Sequence, residues 1–207
     1  NNFISAWNVS GTGSVVGIAI VSGSAVTDFN SLRMNDVAAN GMVAAMVDSS
    51  TASVHLRNNI LKVTEADAPA RVLIHGSGPL ISDYNVFEGV PSNPQYALAE
   101  SNGTIYGSLF VWRSNTGHDL HGLYGDPGFL TATDLHILRS ATLVSGQGLS
   151  LGDATFDYDQ ESRANPPDIG ADEYEHMVVT EDAGLAWLAA PDSILTSNTD
   201  YSFNVVA

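Results

Sequence analysis

Short apolar runs separated by turns rich in Gly, Asn, Asp and Ser fill the first ninety residues. Three such runs, at 16–21, 43–47 and 71–75, are each followed by a polar turn and a second short apolar run. The polar turns align on asparagines spaced by 28, 29 and 26 residues, which are Asn2, Asn30, Asn59 and Asn85. Two positions after each asparagine lies a large apolar residue: Ile4, Leu32, Leu61 and Phe87. Apolar runs this short, bounded by turn residues, predict strands rather than helices.

A repeat of this length with two short strands predicts one coil of a parallel β-helix. A leucine-rich repeat would show a leucine skeleton, and a propeller blade needs four strands. Coils stacked at about 4.8 Å pair their backbones with the coils above and below, and the large apolar column fills the interior. Asn30, Asn59 and Asn85 are then predicted to form a ladder of side-chain amides along the axis. The sequence therefore predicts an all-β solenoid, with coils over about residues 1–90.

The pattern changes after these coils. Residues 91–124 carry turn signals and lose the period, so we interpret them as an irregular excursion in which 109–112 forms a short strand. Residues 176–207 hold two stretches that alternate apolar and small or polar positions around a loop, which predicts the first strands of a β-sandwich. About 30 residues cannot bury a core alone, so that domain is expected to be incomplete and the polypeptide to continue into further domains.

Charge narrows the classes of partner. The chain has 7 Lys+Arg against 23 Asp+Glu, a formal net charge of −16. Nucleic acid and anionic membranes are disfavoured, because their binding requires lysine and arginine. The most apolar stretch, 15–26, is too short and too interrupted by Gly and Ser to cross a bilayer. There is no cysteine, so disulfides contribute nothing.

Two motifs carry a family resemblance. Asp-Pro-Gly-Phe at 126–129 and Asp-Ile-Gly-Ala-Asp-Glu-Tyr at 168–174, with the segments between them, resemble the C-terminal part of the pectate-lyase-like right-handed β-helix superfamily found in large bacterial secreted proteins. The resemblance implies a right-handed helix over residues 1–175, an extracellular or cell-surface location, and an immunoglobulin-like (Ig-like) module beginning in 176–207.

Within this resemblance, residues 125–175 are expected to cap the last coil. An open solenoid end exposes an unpaired strand edge and an apolar core. The residues expected to cover it are Phe129, Leu135, Ile137, Leu143 and Ile169. Arg163 is expected to fasten this cap by pairing with one of four nearby aspartates, Asp157, Asp159, Asp168 or Asp172.

Few residues in the sequence are candidates for a catalytic or metal-binding role. A lyase would need a basic residue to remove a proton, and Lys62 beside the Asn59 bend is one candidate. A hydrolase would need paired carboxylates, for which Asp119, next to His118, is a candidate. Asp157, Asp159 and Glu161 alternate along the chain and could hold Ca²⁺, the one cofactor that the sequence suggests. For all six residues the competing interpretation is structural or solvent-exposed.

Two classes of function remain. In the first, the chain is a non-catalytic module of a secreted or surface-anchored protein: a rigid stalk, an adhesin or a carbohydrate-contacting surface, with polysaccharides or other surface proteins as partners. In the second, it is the C-terminal part of a polysaccharide lyase or glycoside hydrolase that acts on acidic polysaccharide and whose active coils precede Asn1. We expect the first, because the candidate residues form no recognisable catalytic cluster in the sequence.

Overall fold

The computed structural model describes residues 1–6, 9–11, 13–34, 37–39, 41–65 and 68–174. They form a parallel β-solenoid of about three turns with almost no helix. In the described residues no helix is long and apolar enough to cross a membrane. Contacts divide the chain into a unit Asn1–His176 and a unit Met177–Ala207. The sandwich strands predicted for 176–207 lie outside the described residues.

Successive turns of the solenoid contribute corresponding strands. The first turn comprises β1 (Asn2–Ala6), β2 (Val9–Gly11), β3 (Val15–Ile20) and β4 (Ala25–Asp28). The second comprises β5 (Asn30–Met34), β6 (Val37–Ala39), β7 (Val43–Asp48) and β8 (Val54–Arg57). The third comprises β9 (Ile60–Val63), β10 (Ala70–His75) and β11 (Leu80–Asp83). The remaining elements are β12 (Val86–Glu88), β13 (Tyr96–Ser101), β14 (Thr104–Tyr106), α1 (Leu109–Thr116) and β15 (Leu123–Tyr124).

Strands from successive turns pair in register. One sheet has the order β1-β5-β9-β12-β15 and is called here the ladder sheet; a second has the order β3-β7-β10-β13-β14, a third β4-β8-β11, and β2 pairs with β6. All pairs are parallel except β13 with β14. In the ladder sheet Ile4 lies opposite Leu32, Leu32 opposite Leu61, and Leu61 opposite Phe87. The predicted stacking of coils with an aliphatic interior is confirmed.

A chain of side-chain hydrogen bonds runs along the ladder sheet. Asn2 Nδ2 donates to Asn30 Oδ1 at 2.7 Å, and Asn30 Nδ2 donates to Asn59 Oδ1 at 2.9 Å. Asn59 Nδ2 donates to Asn85 Oδ1 at 3.1 Å, and Asn85 Nδ2 donates to Asp119 Oδ1 at 2.8 Å. The side chains past Asn2 are buried, so these bonds satisfy amides that water does not reach. Asp119 ends the chain of hydrogen bonds as an acceptor.

The C-terminal end of the core is closed by α1, where sequence analysis placed a strand. That prediction for 109–112 was wrong: Ser108 accepts a hydrogen bond from Val111 N–H as the N-cap, and Gly117, at φ 74°, ends the helix. Trp112 is fully buried in the main core cluster together with Leu109. Part of the predicted excursion is therefore the end cap of the solenoid.

Residues 125–174, called here the flank segment, lie along the side of the solenoid. They were expected to cover the end of the last coil, and the packing that the structure shows is against the outward side of the ladder sheet. Side chains alternate across a strand, so Leu61 and Phe87 face the main core while Ile60 and Val86 face outward. Ile60 and Val86 form a second core with three residues of the flank segment, Ile137, Val144 and Ile169.

Gly170 explains part of the 168–174 motif. Its φ is +107°, and a Cβ there would lie 2.5 Å from Ile60 Cδ1 and 2.9 Å from Ser31 Oγ. Next to it, Ala171 N–H donates to Ser31 Oγ at 3.0 Å. The glycine lets the flank segment approach the ladder sheet closely enough to hydrogen-bond with it.

Arg163 fastens the flank segment, but through a partner that sequence analysis did not name. Its Nη1 lies 3.3 Å from Glu173 Oε2, and the two side chains are 3% and 10% exposed. Its Nη2 donates to Gly170 O and to Asn1 Oδ1, each at 3.0 Å. The guanidinium carbon also lies 3.9 Å from the ring centroid of Phe29. The expected pairing with an aspartate is corrected to Glu173, because the turn at Gly170 places that glutamate beside the guanidinium.

Candidate functional site

The flank segment encloses a cleft of about 860 Å³. Its lining mixes carboxylates, one imidazole, one guanidinium and one phenol, among them His136, Arg139, Asp159, Glu161, Asp172 and Tyr174. Burial raises the pKa of Tyr174 to about 12, so its hydroxyl stays protonated and donates to Ala141 O at 2.6 Å. Ionisable groups gathered in a concave site make this cleft the candidate functional site.

His136 stands between two carboxylates. Its Nδ1 is hydrogen-bonded to Asp134 Oδ1, and its Nε2 lies 2.7 Å from Asp159 Oδ2. Burial lowers the pKa of His136, but the hydrogen bonds with both carboxylates outweigh burial, and the pKa is raised. The hydrogen bond from His136 lowers the pKa of Asp134. The imidazole thus connects two separate turns of the flank segment.

Asp172 completes a cluster with His136 and Asp159, called here the His136 cluster. One ligand atom of each of the three side chains lies within 4.8 Å of the others. Asp172 is only 6% exposed, and its Oδ2 accepts a hydrogen bond from Ile137 N–H at 2.7 Å. Burial raises the pKa of Asp172 despite that bond. Within the part of the chain that the structure describes, no other three His, Asp or Glu side chains converge this closely.

Aromatic rings flank the cluster. Phe3 stacks on Tyr158 with ring centroids 4.2 Å apart, and Phe3 and His136 form a T-shaped pair with ring centroids 4.8 Å apart. Tyr158 is 48% exposed. Because β1 carries Phe3, the first turn of the solenoid and the flank segment build this aromatic rim together.

Lys62 is held in ion pairs outside the His136 cluster. It lies on β9, with Nζ 2.6 Å from Glu88 Oε2 and 3.0 Å from Asp126 Oδ1. The lysine side chain is 11% exposed. A general base needs a free amine, whereas the Lys62 amine is engaged by two carboxylates. These contacts give Lys62 a structural role between the ladder sheet and the start of the flank segment.

Asp119 and His118 lie at the end cap. Asp119 is 0% exposed and accepts hydrogen bonds from Asn85 Nδ2, from Ser82 Oγ at 2.7 Å and from Trp112 Nε1 at 2.9 Å. Burial raises the pKa of Asp119, although the three donors oppose the shift. The His118 ring lies 5.4 Å from the Trp112 ring, and burial lowers its pKa. Neither residue joins Lys62 or the His136 cluster in a hydrogen bond.

The three calcium candidates have different roles. Asp157 is buried: its Oδ1 accepts from the backbone N–H groups of Asp159 and Glu161, and its Oδ2 accepts from Glu173 N–H at 2.9 Å. Asp159 belongs to the His136 cluster, and Glu161 lines the cleft. The proximity of His136 and Asp172 to Asp159 was not predicted from the sequence. Asp134 and His136, two positions apart, were a signal for a paired histidine but not for its contact with Asp159.

A scan against protein-family models finds no match, and searches of curated proteins and of solved structures find none either. The resemblance to pectate-lyase-like proteins therefore rests on the sequence motifs, and the structure adds the parallel solenoid.

Burial of three carboxyl groups should make this fold more stable at mildly acidic pH, with an effect larger than the opposite effect of buried His118. Burial is the largest cause of the raised pKa of Glu88, Asp119 and Asp168. Between the unfolded values of these carboxyls and their raised native values, the native state holds more protons than the unfolded state, so stability falls as pH rises. We expect a higher Tm at about pH 5 than at about pH 8 in circular dichroism melts with EDTA. A Tm that increases over this range would contradict the assignment.

Proposed function

We propose that residues 1–174 form a right-handed β-helix that serves as a rigid, non-catalytic module of a large secreted or surface-anchored protein. The observation that carries this proposal is the unbroken chain of hydrogen bonds from Asn2 to Asp119. It joins every turn of the solenoid to the next, in addition to the backbone pairing of the strands.

Such a structure resists bending and stretching. Sliding one turn against another would break buried amide hydrogen bonds, each of which contributes about 0.5–1.5 kcal/mol, and would leave their donors unsatisfied. The α1 end cap and the flank segment protect the core at one end and along one side. A stalk that presents a binding surface away from its attachment needs this stiffness.

The cleft is the surface we propose for contact with carbohydrate. Beside the cleft, the half-exposed Tyr158 ring, which stacks on Phe3, offers an apolar surface to sugar rings, and the polar groups of the cleft can hydrogen-bond to hydroxyls. The net charge of −16 disfavours acidic polysaccharides. Neutral polysaccharides are therefore the ligands we propose, with other surface proteins as the alternative partner.

The test is affinity electrophoresis of the whole chain against neutral and acidic polysaccharides, in EDTA. We expect a neutral polymer to retard the migration of the wild-type chain. Tyr158→Ala should bind that polymer about tenfold more weakly, because it loses one aromatic contact worth about 1.4 kcal/mol. Phe110→Ala is the matched control, since Phe110 is an exposed aromatic (77%) on α1, outside the cleft.

Equal binding by wild type and Tyr158→Ala would remove the cleft from the proposal. Release of reducing or unsaturated sugars by the chain would instead support the alternative, a part of a polysaccharide lyase or glycoside hydrolase.

The Ig-like module remains a proposal as well. The alternating positions in 176–207 support strands of a sandwich completed by further chain. A structure of a longer polypeptide that shows these residues in a helix would reject it.

A further inference from the structure

We propose that the His136 cluster is a binding site for a divalent transition-metal ion of the zinc type. The site would use His136, Asp159 and Asp172 as ligands and would open into the cleft. This inference does not depend on carbohydrate binding.

The donor set suits such an ion. One imidazole nitrogen and two carboxylate oxygens converge within 4.8 Å, and they come from three separate stretches of the flank segment. Three protein ligands of this type, with the remaining positions left to water, are typical of zinc sites that keep an open coordination position. Ca²⁺ prefers six to eight oxygen ligands, and both Asp157 oxygens are already used by backbone N–H groups.

The second observation concerns the orientation of His136. Asp134 engages Nδ1, which leaves Nε2 as the nitrogen that faces Asp159. A carboxylate on the far nitrogen is the common outer contact of a metal-binding histidine, because it fixes the ring and the tautomer. Without metal, a proton lies between Nε2 and Asp159 Oδ2; the ion takes the place of that proton and releases it to solvent.

The third observation concerns Asp172. It is more than nine-tenths buried, and Oδ2 is occupied by Ile137 N–H. Among the described residues, Oδ1 has no hydrogen-bond partner, although Asp172 lines the cleft. Asp172 therefore offers the cleft a carboxylate oxygen that no donor of the described residues uses, and a cation bound there can take it as a ligand.

The experiment measures metal binding by the tag-free, full-length chain after EDTA treatment and removal of the chelator. A chromogenic zinc chelator competes with the protein for Zn²⁺, with Ca²⁺ in a parallel arm. We expect one equivalent of Zn²⁺ per chain and no comparable affinity for Ca²⁺. Asp159→Asn and His136→Ala should each weaken binding at least about 100-fold, and Asp134→Asn about 10- to 100-fold.

His121→Ala is the matched control. His121 also pairs through Nδ1 with an aspartate, Asp83, at 2.8 Å and also stacks on a tyrosine, Tyr84, but it belongs to no three-ligand group in the described chain. This variant should bind Zn²⁺ like wild type. Co²⁺ loading gives a second readout, since the visible absorption of the bound ion should be present in wild type and His121→Ala but absent in His136→Ala.

Loss of metal binding can be distinguished from misfolding. Asp159 is exposed, so Asp159→Asn should fold normally, and circular dichroism shows whether each variant retains the β spectrum. Less than one equivalent bound by wild type, or wild-type affinity in Asp159→Asn and His136→Ala, would overturn the site. Tighter binding of Ca²⁺ than Zn²⁺ would overturn the choice of ion. A failed carbohydrate assay in EDTA would leave the metal site intact.

Discussion

Replacing Trp112 with alanine is expected to lower the free energy of unfolding by about 3–5 kcal/mol. The indole is fully buried in the main core and closes the C-terminal end of the solenoid. Its loss leaves a cavity there and removes the Nε1 donor that Asp119 Oδ2 accepts at 2.9 Å. Equilibrium denaturation in urea, followed by circular dichroism, measures the change.

Two variants separate the contributions at this end cap. Trp112→Phe keeps most of the ring volume but loses the hydrogen-bond donor to Asp119. We therefore expect its free energy of unfolding to fall by about 1–3 kcal/mol. Phe110→Ala lies two residues away on the exposed side of α1 and should change stability by less than about 0.5 kcal/mol. A Trp112→Ala protein as stable as Phe110→Ala would show that α1 does not close the core.

Replacing Arg163 with alanine should lower the free energy of unfolding by about 3–5 kcal/mol, which is the range for breaking a buried ion pair by removing one partner. Glu173 would keep a buried charge, and the carbonyl of Gly170 would lose its donor. The damage should begin in the flank segment. Hydrogen exchange by mass spectrometry should show faster exchange in 157–174 than in the ladder sheet.

Lysine is a demanding control for this position. Arg163→Lys keeps the charge but cannot reach Glu173, Asn1 and the Gly170 carbonyl together as the planar guanidinium does. Most of the loss should therefore remain. Arg139→Ala, an exposed arginine that lines the cleft, should stay within about 0.5 kcal/mol of wild type. Uniform exchange across the chain in Arg163→Ala would contradict a local fastening role.

The solenoid could be predicted because its information is local and repeated. An asparagine with a large apolar residue two positions later marks each turn, and the spacing between copies sets the register. The helix at 109–116 was missed because Leu-Phe-Val-Trp is rich in residues that favour strands. Ser108 and Gly117, which start and end it, were available as signals.

The sequence also contains a signal for the position of the flank segment. Ile60 with Leu61, and Val86 with Phe87, are adjacent apolar pairs, which indicate a strand buried on both faces. In contrast, Leu32 follows Ser31, whose hydroxyl accepts from Ala171 N–H. The meeting of His136 with Asp159 could not be predicted, since irregular turns without a period bring them together over 23 residues.

The hydrogen bonds between the asparagine amides all run in the same direction along the solenoid, so each turn can be followed by another of the same kind. An asparagine both receives from the turn before and gives to the turn after, so the same unit can be repeated without altering its chemistry. Asp119 receives three donors and gives none, which ends the series. Each further copy of such a unit would lengthen the rod by about 4.8 Å. The position at which an aspartate replaces the asparagine therefore determines where the series of hydrogen bonds ends.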